Sequence, residues 1–269
     1  MHPVFCKIGF LTIHWYGVLM ALGFLAGLLN WIHLGRREGR NAQFCSDLLF
    51  WVMVSGIVGA RLAYVVANLK SFILDPVSIF RVDQGGLIYY GGFVGAGLAI
   101  FYFARSHGET LTSLLDFVIT SVPLGHAFGR VGCLMNGCCY GKTYDGWPSI
   151  SFPAGSLAWW QHVDSHRLSA EAPWSLPVHP VQIYEAIFNV ALFLFLGIAY
   201  RRRRGEGEIL GLYLIAYPVA RFLFERLRVA ANGRVAGLSS AQYLSALLFV
   251  FGIVVLTRAR LKARHKTEE

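Results

Sequence analysis

Apolar residues fill seven long runs of the chain, and short polar links separate these runs. Each run is long enough for a helix to cross the hydrocarbon core of a bilayer, which is roughly 30 Å thick. The pattern predicts an all-α integral membrane protein with seven transmembrane helices, and residues 1–269 are expected to form a single membrane domain. The predicted spans are residues 10–33, 47–67, 86–104, 111–131, 181–200, 208–227 and 240–257.

Composition excludes an ordinary soluble protein. Apolar residues make up 55% of the chain and charged residues 14%, whereas soluble domains carry about a quarter charged residues. The first run is interpreted as a retained helix, because it is longer than the apolar core of a signal peptide and no small-residue cleavage site follows it.

The basic residues predict the orientation in the membrane. More than half of the 24 Lys and Arg residues lie in the carboxyl-terminal tail and in the links after the first, third and fifth runs. The positive-inside rule places these segments in the cytoplasm, so the amino terminus is expected outside and the carboxyl terminus inside. The net charge of +9 then reflects topology and attraction to anionic membrane lipids. Nucleic-acid binding is not expected, since no groove of basic and aromatic residues supports it.

The longest predicted outer segment, residues 132–180, is rich in Trp, Pro, Ser and Gly. Tryptophan rings favour the boundary between membrane and water. We therefore expect a small extracytoplasmic head segment that lies at this interface.

Three arginines fall inside the predicted spans, namely Arg61, Arg130 and Arg221. At 1.5 Å per helical residue, all three come out in the outer half of the bilayer. The spans that run inward carry polar residues near their outer ends, namely Tyr16, Tyr89, Tyr90, Gln182 and Glu185. Snorkelling of an arginine to the headgroups is the alternative, and it fits Arg130 better than the two deeper arginines.

The sixth run carries a polar stripe. Tyr217, Arg221, Glu225 and Arg228 follow one another at helical spacing, so they share one face. Pro218 within this stripe is expected to bend the helix. His126 lies one turn before Arg130, and the two share a face of the fourth span.

These charges predict an anion-binding cavity. Glu225 can balance one arginine as its i+4 partner, and the remaining positive charge indicates a ligand. The planar guanidinium group of arginine suits phosphate, so we expect an anionic phospholipid headgroup.

Glycines cluster at the start of the third span. Gly95 and Gly97 have the spacing of closely packed membrane helices. For Gly85, Gly86, Gly91 and Gly92, close approach to a ligand and close approach to another helix are both open.

Three of the five cysteines lie in the segment GRVGCLMNGCCYG, residues 129–141. The spacing of Cys133, Cys138 and Cys139 is not that of a standard zinc site, so no metal is predicted. Free thiols are the default, and a disulfide from Cys133 to Cys138 or to Cys139 is the alternative. The same thiols raise a second functional hypothesis, a membrane thiol–disulfide oxidoreductase, and the cavity raises a third, a protein that binds or transports anionic phospholipid.

Five motifs in order carry a resemblance to a known family. They are HWYG at 14–17, QGGLIYYGG at 84–92, GRVGCLMNGCCYG at 129–141, HPVQIYE at 179–185 and YPVARFLFERLR at 217–228. Together they resemble the prolipoprotein diacylglyceryl transferases of bacterial cytoplasmic (inner) membranes. The resemblance implies seven helices, an active site toward the outer leaflet, and transfer of the diacylglyceryl group of phosphatidylglycerol to the lipobox cysteine of a preprolipoprotein signal peptide. It implies no cofactor.

The resemblance also implies site residues. Catalysis would involve Arg130, Arg221, Tyr217 and Tyr90. Substrate binding would involve Tyr16, Arg61, Asn136, Gly137, Gly141, Gln182, Glu185 and Glu225. Tyr90 departs from the family pattern, which often has histidine there as a candidate base, so that role passes to Tyr90, to another group such as His126 or Glu225, or to none. Cys133 and Cys138 also replace other residues of the family signature and are expected to shape the pocket.

Overall fold

The computed structural model describes residues 3–9, 11–81, 85–228 and 236–268, and it is mostly helical. The helices are α1 (Trp15–Gly35), α2 (Ala42–Ala67), α3 (Leu69–Leu74), α4 (Tyr89–Ser106), α5 (Leu111–Ile119), α6 (Val122–Asn136), α7 (Leu157–Asp164), α8 (Val181–Arg202), α9 (Glu208–Arg226) and α10 (Ser240–Glu268). Short 3-10 helices cover Arg36–Glu38 and Pro76–Phe80.

Each predicted span coincides with helix over most of its length, which agrees with a helical membrane protein. Within the described residues, five helical segments are long and apolar enough to cross a membrane: Trp15–Glu38, Ala42–Ala67, Leu111–Asn136, Val181–Arg202 and Ser240–Arg264. Helix α4 is rich in glycine and α9 contains four charged residues. Seven crossings and their orientation therefore stay predictions.

The first predicted span begins too early, because a short hairpin precedes the first helix. Residues Val4–Ile8 form strand β1, which pairs in antiparallel fashion with strand β2, Leu11–His14. Gly9 has a φ angle of 59° and supports the reversal between the strands. The helix starts only at Trp15.

The fourth predicted span is divided. Helix α5 ends at Ile119 and α6 begins at Val122, with Pro123 in its first turn, where its missing N–H group costs nothing. The hydroxyl of Ser121 donates a hydrogen bond of 3.1 Å to the carbonyl of Gly27 in α1. The hydroxyl group of Ser121 at the break between α5 and α6 is therefore hydrogen-bonded.

The chain divides into two compact units, one of residues 30–115 and one of residues 1–29 together with 116–269. In the first unit, α2 packs against α4 backbone to backbone. A Cβ atom on Gly95 would lie 2.1 Å from the carbonyl oxygen of Ser55, and one on Gly91 would lie 2.4 Å from that of Gly59. Packing is confirmed for Gly95, whereas Gly97 faces open space and the prediction for it is wrong.

In the second unit, α8 packs against both α6 and α9, and α9 packs against α10. Asp116 in α5 caps the start of α9. Its carboxylate accepts hydrogen bonds from the N–H groups of Gly207, at 2.7 Å, and Leu210, at 2.8 Å. This buried carboxylate satisfies two of the amide groups that a helix leaves unpaired at its amino end.

Residues 132–180 have a small core of their own. Phe152, Ala158 and Val178 are fully buried, and the partly buried side chains of Leu134, Tyr140 and Ile150 pack around them. Val178 also forms bridges with Thr143 and Ile150, which tie the end of the segment to its beginning. The extracytoplasmic location of this segment stays a prediction.

Candidate active site

The buried carboxylate of Glu185 on α8 lies at the centre of the candidate site. Its side chain is only 3% exposed. Arg130 on α6 forms an ion pair with Oε2 through Nε, and Nη1 of Arg221 on α9 lies 3.8 Å from Oε1. Three helices thus converge on one acidic side chain.

A second carboxylate contacts Arg221. Nη1 of Arg221 lies 2.7 Å from Oε2 of Glu225, one turn along α9, which confirms the predicted i+4 pair. The hydroxyl of Ser239 donates a hydrogen bond of 3.1 Å to Oε1 of Glu225. Glu225 is held from both sides.

The charge count made from the sequence is wrong. It assigned one carboxylate to two arginines, whereas the fold brings Glu185 to the same place because α8 packs between α6 and α9. Arg130 and Arg221 are balanced by Glu185 and Glu225 in a neutral network. Excess positive charge therefore does not require an anion at this site. Anion binding depends instead on the guanidinium N–H groups that the two glutamates leave available.

The two terminal amino groups of Arg130 remain available. It contacts Glu185 through Nε, and Nε also donates a hydrogen bond of 3.0 Å to Nε2 of His126. Its two terminal amino groups have no hydrogen-bond or ion-pair partner among the described residues. Terminal amino groups of a fixed guanidinium are well suited to bind phosphate oxygens.

His126 and Tyr217 lie beside this network. Because Nε2 of His126 accepts a hydrogen bond from Arg130, the ring is neutral and carries its proton on Nδ1. The ring of Tyr217 lies 5.5 Å from that of His126, between centroids, and stacks on Tyr213 at 5.3 Å. The shared face predicted for His126 and Arg130 is confirmed.

The turn after α6 holds the signature residues. Asn136 ends the helix, and Gly137 follows with a φ angle of 68°, which favours glycine. A Cβ atom on Gly141 would lie 2.7 Å from Cβ of His179 and 2.8 Å from the carbonyl oxygen of Leu227, so only glycine fits. Gln182, buried on α8, donates a hydrogen bond of 2.7 Å to the carbonyl of Cys138.

Tyr16 packs against α6 just before this turn. Its ring packs so tightly on Gly132 that a Cβ atom there would lie 2.9 Å from Cδ2 of Tyr16. Tyr16 also interacts electrostatically with Arg130 and with the three neighbouring cysteines. Of the residues that sequence predicted, the unit of residues 1–29 and 116–269 brings together Arg130, Glu185, Arg221, Glu225, Tyr217, Gln182, Asn136, Gly137, Gly141 and Tyr16.

Arg61 and Tyr90 belong to the unit of residues 30–115. The guanidinium of Arg61 donates hydrogen bonds to the carbonyls of Ser78, Ile79, Gly85 and Gly86, at 2.5 to 3.1 Å. These bonds fasten the segment before α4, and contact of Arg61 with substrate stays a prediction. Tyr90 is 70% exposed at the start of α4, and its catalytic role also stays a prediction.

Two polar residues of the site were not predicted from the sequence. Asn189 lies one turn after Glu185, is buried, and donates a hydrogen bond of 2.7 Å to the carbonyl of Glu185. The spacing of Gln182, Glu185 and Asn189 along one face of α8 was a signal for it. Ser239 precedes α10 in sequence, and no local pattern indicates its contact with Glu225.

The chain is thus a helical membrane protein that buries a network of two arginines and two glutamates among three helices. It belongs to the prolipoprotein diacylglyceryl transferase family, whose model matches residues 3–258. Family membership does not favour an oxidoreductase or a transport protein.

Several relatives align over most or all of the chain. A phosphatidylglycerol–prolipoprotein diacylglyceryl transferase 2 of Clostridium perfringens is 32% identical over 269 residues, which is all of both chains. The corresponding transferase of Clostridium tetani is 30% identical over 97% of this chain and 99% of its own. That of Pseudomonas aeruginosa is 36% identical over 84% of this chain and 80% of its own.

Proposed function

We propose that this chain is a phosphatidylglycerol–prolipoprotein diacylglyceryl transferase. It transfers the diacylglyceryl group of phosphatidylglycerol to the thiol of the lipobox cysteine in a preprolipoprotein. The observation that carries this proposal is the buried Arg130–Glu185–Arg221 arrangement in a chain of this family. The site faces the outer leaflet of the bacterial inner membrane, in a chain with seven spans and an external amino terminus.

The nucleophile is the thiolate of the substrate. Its sulfur forms a bond to the glyceryl carbon that carries the phosphate ester, and the bond between that carbon and the ester oxygen breaks. The electron pair of the broken bond leaves with glycerol 1-phosphate, and the thiol proton goes to a base. No cofactor takes part in this reaction.

Arg130 stabilises the leaving group. The ion pair with Glu185 fixes its Nε, so the terminal amino groups hold one orientation and meet the phosphate oxygens as negative charge develops there. A donor that is already oriented contributes most in the transition state, because it needs no reorganisation during the reaction. Arg221 is fixed in the same way between Glu185 and Glu225 and supports the same phosphate.

The base is a separate question from the phosphate site. In this arrangement Nε2 of His126 is engaged by Arg130 and Nδ1 carries the proton, so His126 has no nitrogen ready to accept one. Of the candidate bases that the sequence named, Tyr90 and Glu225 therefore stay as proposals. Tyr217 packs over His126 and is proposed to fix the position of the reacting groups.

The direct test is a transfer assay with purified protein. The protein is incubated with phosphatidylglycerol and a synthetic peptide that contains a lipobox cysteine, and the peptide is analysed by mass spectrometry. We expect the mass to rise by one diacylglyceryl group only with phosphatidylglycerol and not with zwitterionic phosphatidylethanolamine. Bound, intact phosphatidylglycerol without a modified peptide would overturn the proposal and favour lipid binding or transport.

The cysteines provide the control for the redox hypothesis. A variant with Cys133→Ser, Cys138→Ser and Cys139→Ser should retain much of the transfer, because none of these thiols is the nucleophile. Complete loss of transfer in a folded variant of this kind would contradict the proposed mechanism.

A further inference from the structure

Three thiols converge in the turn after α6 although their spacing in sequence is unusual. The Sγ atoms of Cys133, Cys138 and Cys139 all lie within 4.8 Å of one another. All five cysteines lie in the described part of the chain, and each is a free thiol. The backbone conformation of the turn explains why the three thiols meet, and the chemistry of thiols indicates what they can bind.

The backbone explanation is a Schellman turn at the end of α6. The N–H of Cys138 donates to the carbonyl of Cys133 at 3.0 Å, and the N–H of Gly137 donates to that of Leu134 at 3.2 Å. This pair of bonds folds Cys138 back over Cys133. Cys139 then has a φ angle of 63°, in the left-handed region, and so continues the same tight turn.

The left-handed conformation of Cys139 is costly. There the Cβ atom of a residue comes too close to the following carbonyl oxygen, a cost that glycine does not have. A thiol at this position therefore lowers stability unless it gains an interaction that glycine lacks. In the structure, the Sγ atom of Cys139 lies within 4.8 Å of the Sγ atoms of the other two cysteines.

The geometry fits one metal ion with three sulfur ligands. A metal–sulfur bond of about 2.3 Å places three sulfurs in a trigonal plane about 4 Å apart. The observed separations are within 4.8 Å, so movements below about 1 Å would close the site. The cluster of potential metal ligands contains no fourth His, Cys, Asp or Glu among the described residues, whereas structural zinc sites use four ligands.

The surrounding charge also fits such a complex. Three thiolates around a monovalent ion carry two negative charges. Arg130 and Arg228 both act electrostatically on Cys139, where they favour an anionic cluster.

A route to the thiols is present. Cys138 and Cys139 line a cavity of about 420 Å³, whose wall includes Trp160, Gln161 and Asp164 of the head segment. All three cysteines are partly accessible rather than buried. An ion can therefore reach them without unfolding of the turn.

We propose that Cys133, Cys138 and Cys139 form a three-thiolate binding site for a soft monovalent metal ion of the copper(I) class. Thiolates select soft ions of this kind, and three ligands suit copper(I) better than four-coordinate zinc. The proposal is independent of diacylglyceryl transfer, since its test measures metal uptake.

The experiment uses the full-length protein in detergent under reducing conditions, with Cys6→Ser and Cys45→Ala in every sample. Copper(I) is supplied as its coloured bicinchoninate complex, and loss of colour measures transfer to the protein. We expect one copper(I) per chain and at least a tenfold weaker affinity in each of Cys133→Ser, Cys138→Ser and Cys139→Ser. A single variant that retains full affinity would exclude that thiol as a ligand and overturn the three-thiolate site.

A second variant separates binding from folding. Cys139→Gly relieves the positive φ angle and removes one ligand, so we expect a protein of at least equal thermal stability that binds copper(I) more weakly. Undiminished copper(I) binding by this variant would overturn the proposal. So would a protein that takes up no copper(I) under reducing conditions, or one whose mass shows a persistent disulfide among the three cysteines.

Discussion

Glu185 is the residue on which the candidate site depends. It is almost fully buried and forms ion pairs with two arginines from different helices. Removal of one partner from a buried ion pair leaves an uncompensated charge, which is strongly unfavourable in a medium that solvates ions poorly. Glu185 therefore both holds α6, α8 and α9 together and orients the groups that meet the phosphate.

Glu185→Gln should destabilise the protein by about 3–5 kcal/mol, because Arg130 and Arg221 then lack their shared counter-ion. Thermal unfolding in detergent measures this effect. Added phosphatidylglycerol should raise the unfolding temperature of the variant more than that of the wild type, since the lipid phosphate replaces the lost carboxylate. Glu171→Gln, at an exposed position, is the control. Equal lipid effects in both proteins would argue against phosphate binding at this site.

The residue scale also shows what the sequence could predict. The i+4 pair of Arg221 with Glu225 follows from helical spacing alone, whereas the depth of Arg130 and Arg221 in the membrane stays a prediction. The partner of Arg130 did not follow, because Glu185 lies 55 positions away and its position depends on how α8 packs. The contact of Ser239 with Glu225 is equally a product of tertiary packing, and no local pattern encodes it.

At the scale of elements, glycines and one carboxylate determine how helices meet. Helices α2 and α4 approach each other so closely that backbone atoms replace side chains at the contact. Small-residue spacing correctly predicted a contact at Gly95 but also predicted one at Gly97, which faces open space. Spacing identifies a helix that can pack closely, whereas the rotation of that helix is decided by its partner.

Gly95→Ala should weaken the α2–α4 contact, because its Cβ atom would lie 2.1 Å from the carbonyl oxygen of Ser55. Overpacking of this kind costs about 1–3 kcal/mol. Gly97→Ala is the matched control two residues away, with nothing within 4 Å of the new methyl group. The unfolding temperatures in detergent should fall for the first variant only, and a fall of equal size in both would contradict this packing.

Asp116→Ala should destabilise α9 from its amino end. The change removes the acceptor of two amide hydrogen bonds, and loss of a helix cap costs about 0.5–2 kcal/mol. Hydrogen exchange should accelerate at Gly207 and Leu210 more than at the middle of α9. Asp145→Ala, at an exposed position, should leave these amides unchanged. Unaltered exchange at both amides in the Asp116 variant would show that the cap contributes nothing.

At the scale of the whole molecule, hydrophobic runs predicted the location of nearly every long helix. They failed at the amino end, where residues 11–14 pair as a strand, and in the middle of the fourth run, which breaks before α6. Hydropathy reports where a segment is apolar. It does not report whether the backbone pairs with a neighbouring strand, as residues 11–14 do, or whether one helix ends and another begins, as before Pro123.

The proposed topology predicts which loops a membrane-impermeant maleimide can label in intact cells. In a cysteine-free background, Ser169→Cys in the head segment should be labelled from outside, after removal of any outer barrier. Arg204→Cys, in the basic link after α8, should be labelled only after the inner membrane is opened. Both positions are exposed in the structure. The reverse labelling pattern would contradict the proposed orientation.

We propose that Arg130, fixed by Glu185, stabilises the phosphate leaving group. The most direct measurement is the initial rate at which phosphatidylglycerol and a lipobox peptide yield the modified peptide together with an equal amount of glycerol phosphate. Arg130→Ala should lower this rate about 10²- to 10³-fold, which is the usual effect of removing one oriented donor to developing negative charge. Arg37→Ala, on the exposed basic link after α1, should retain the wild-type rate. A folded Arg130→Ala protein that transfers at the wild-type rate would contradict this role of Arg130.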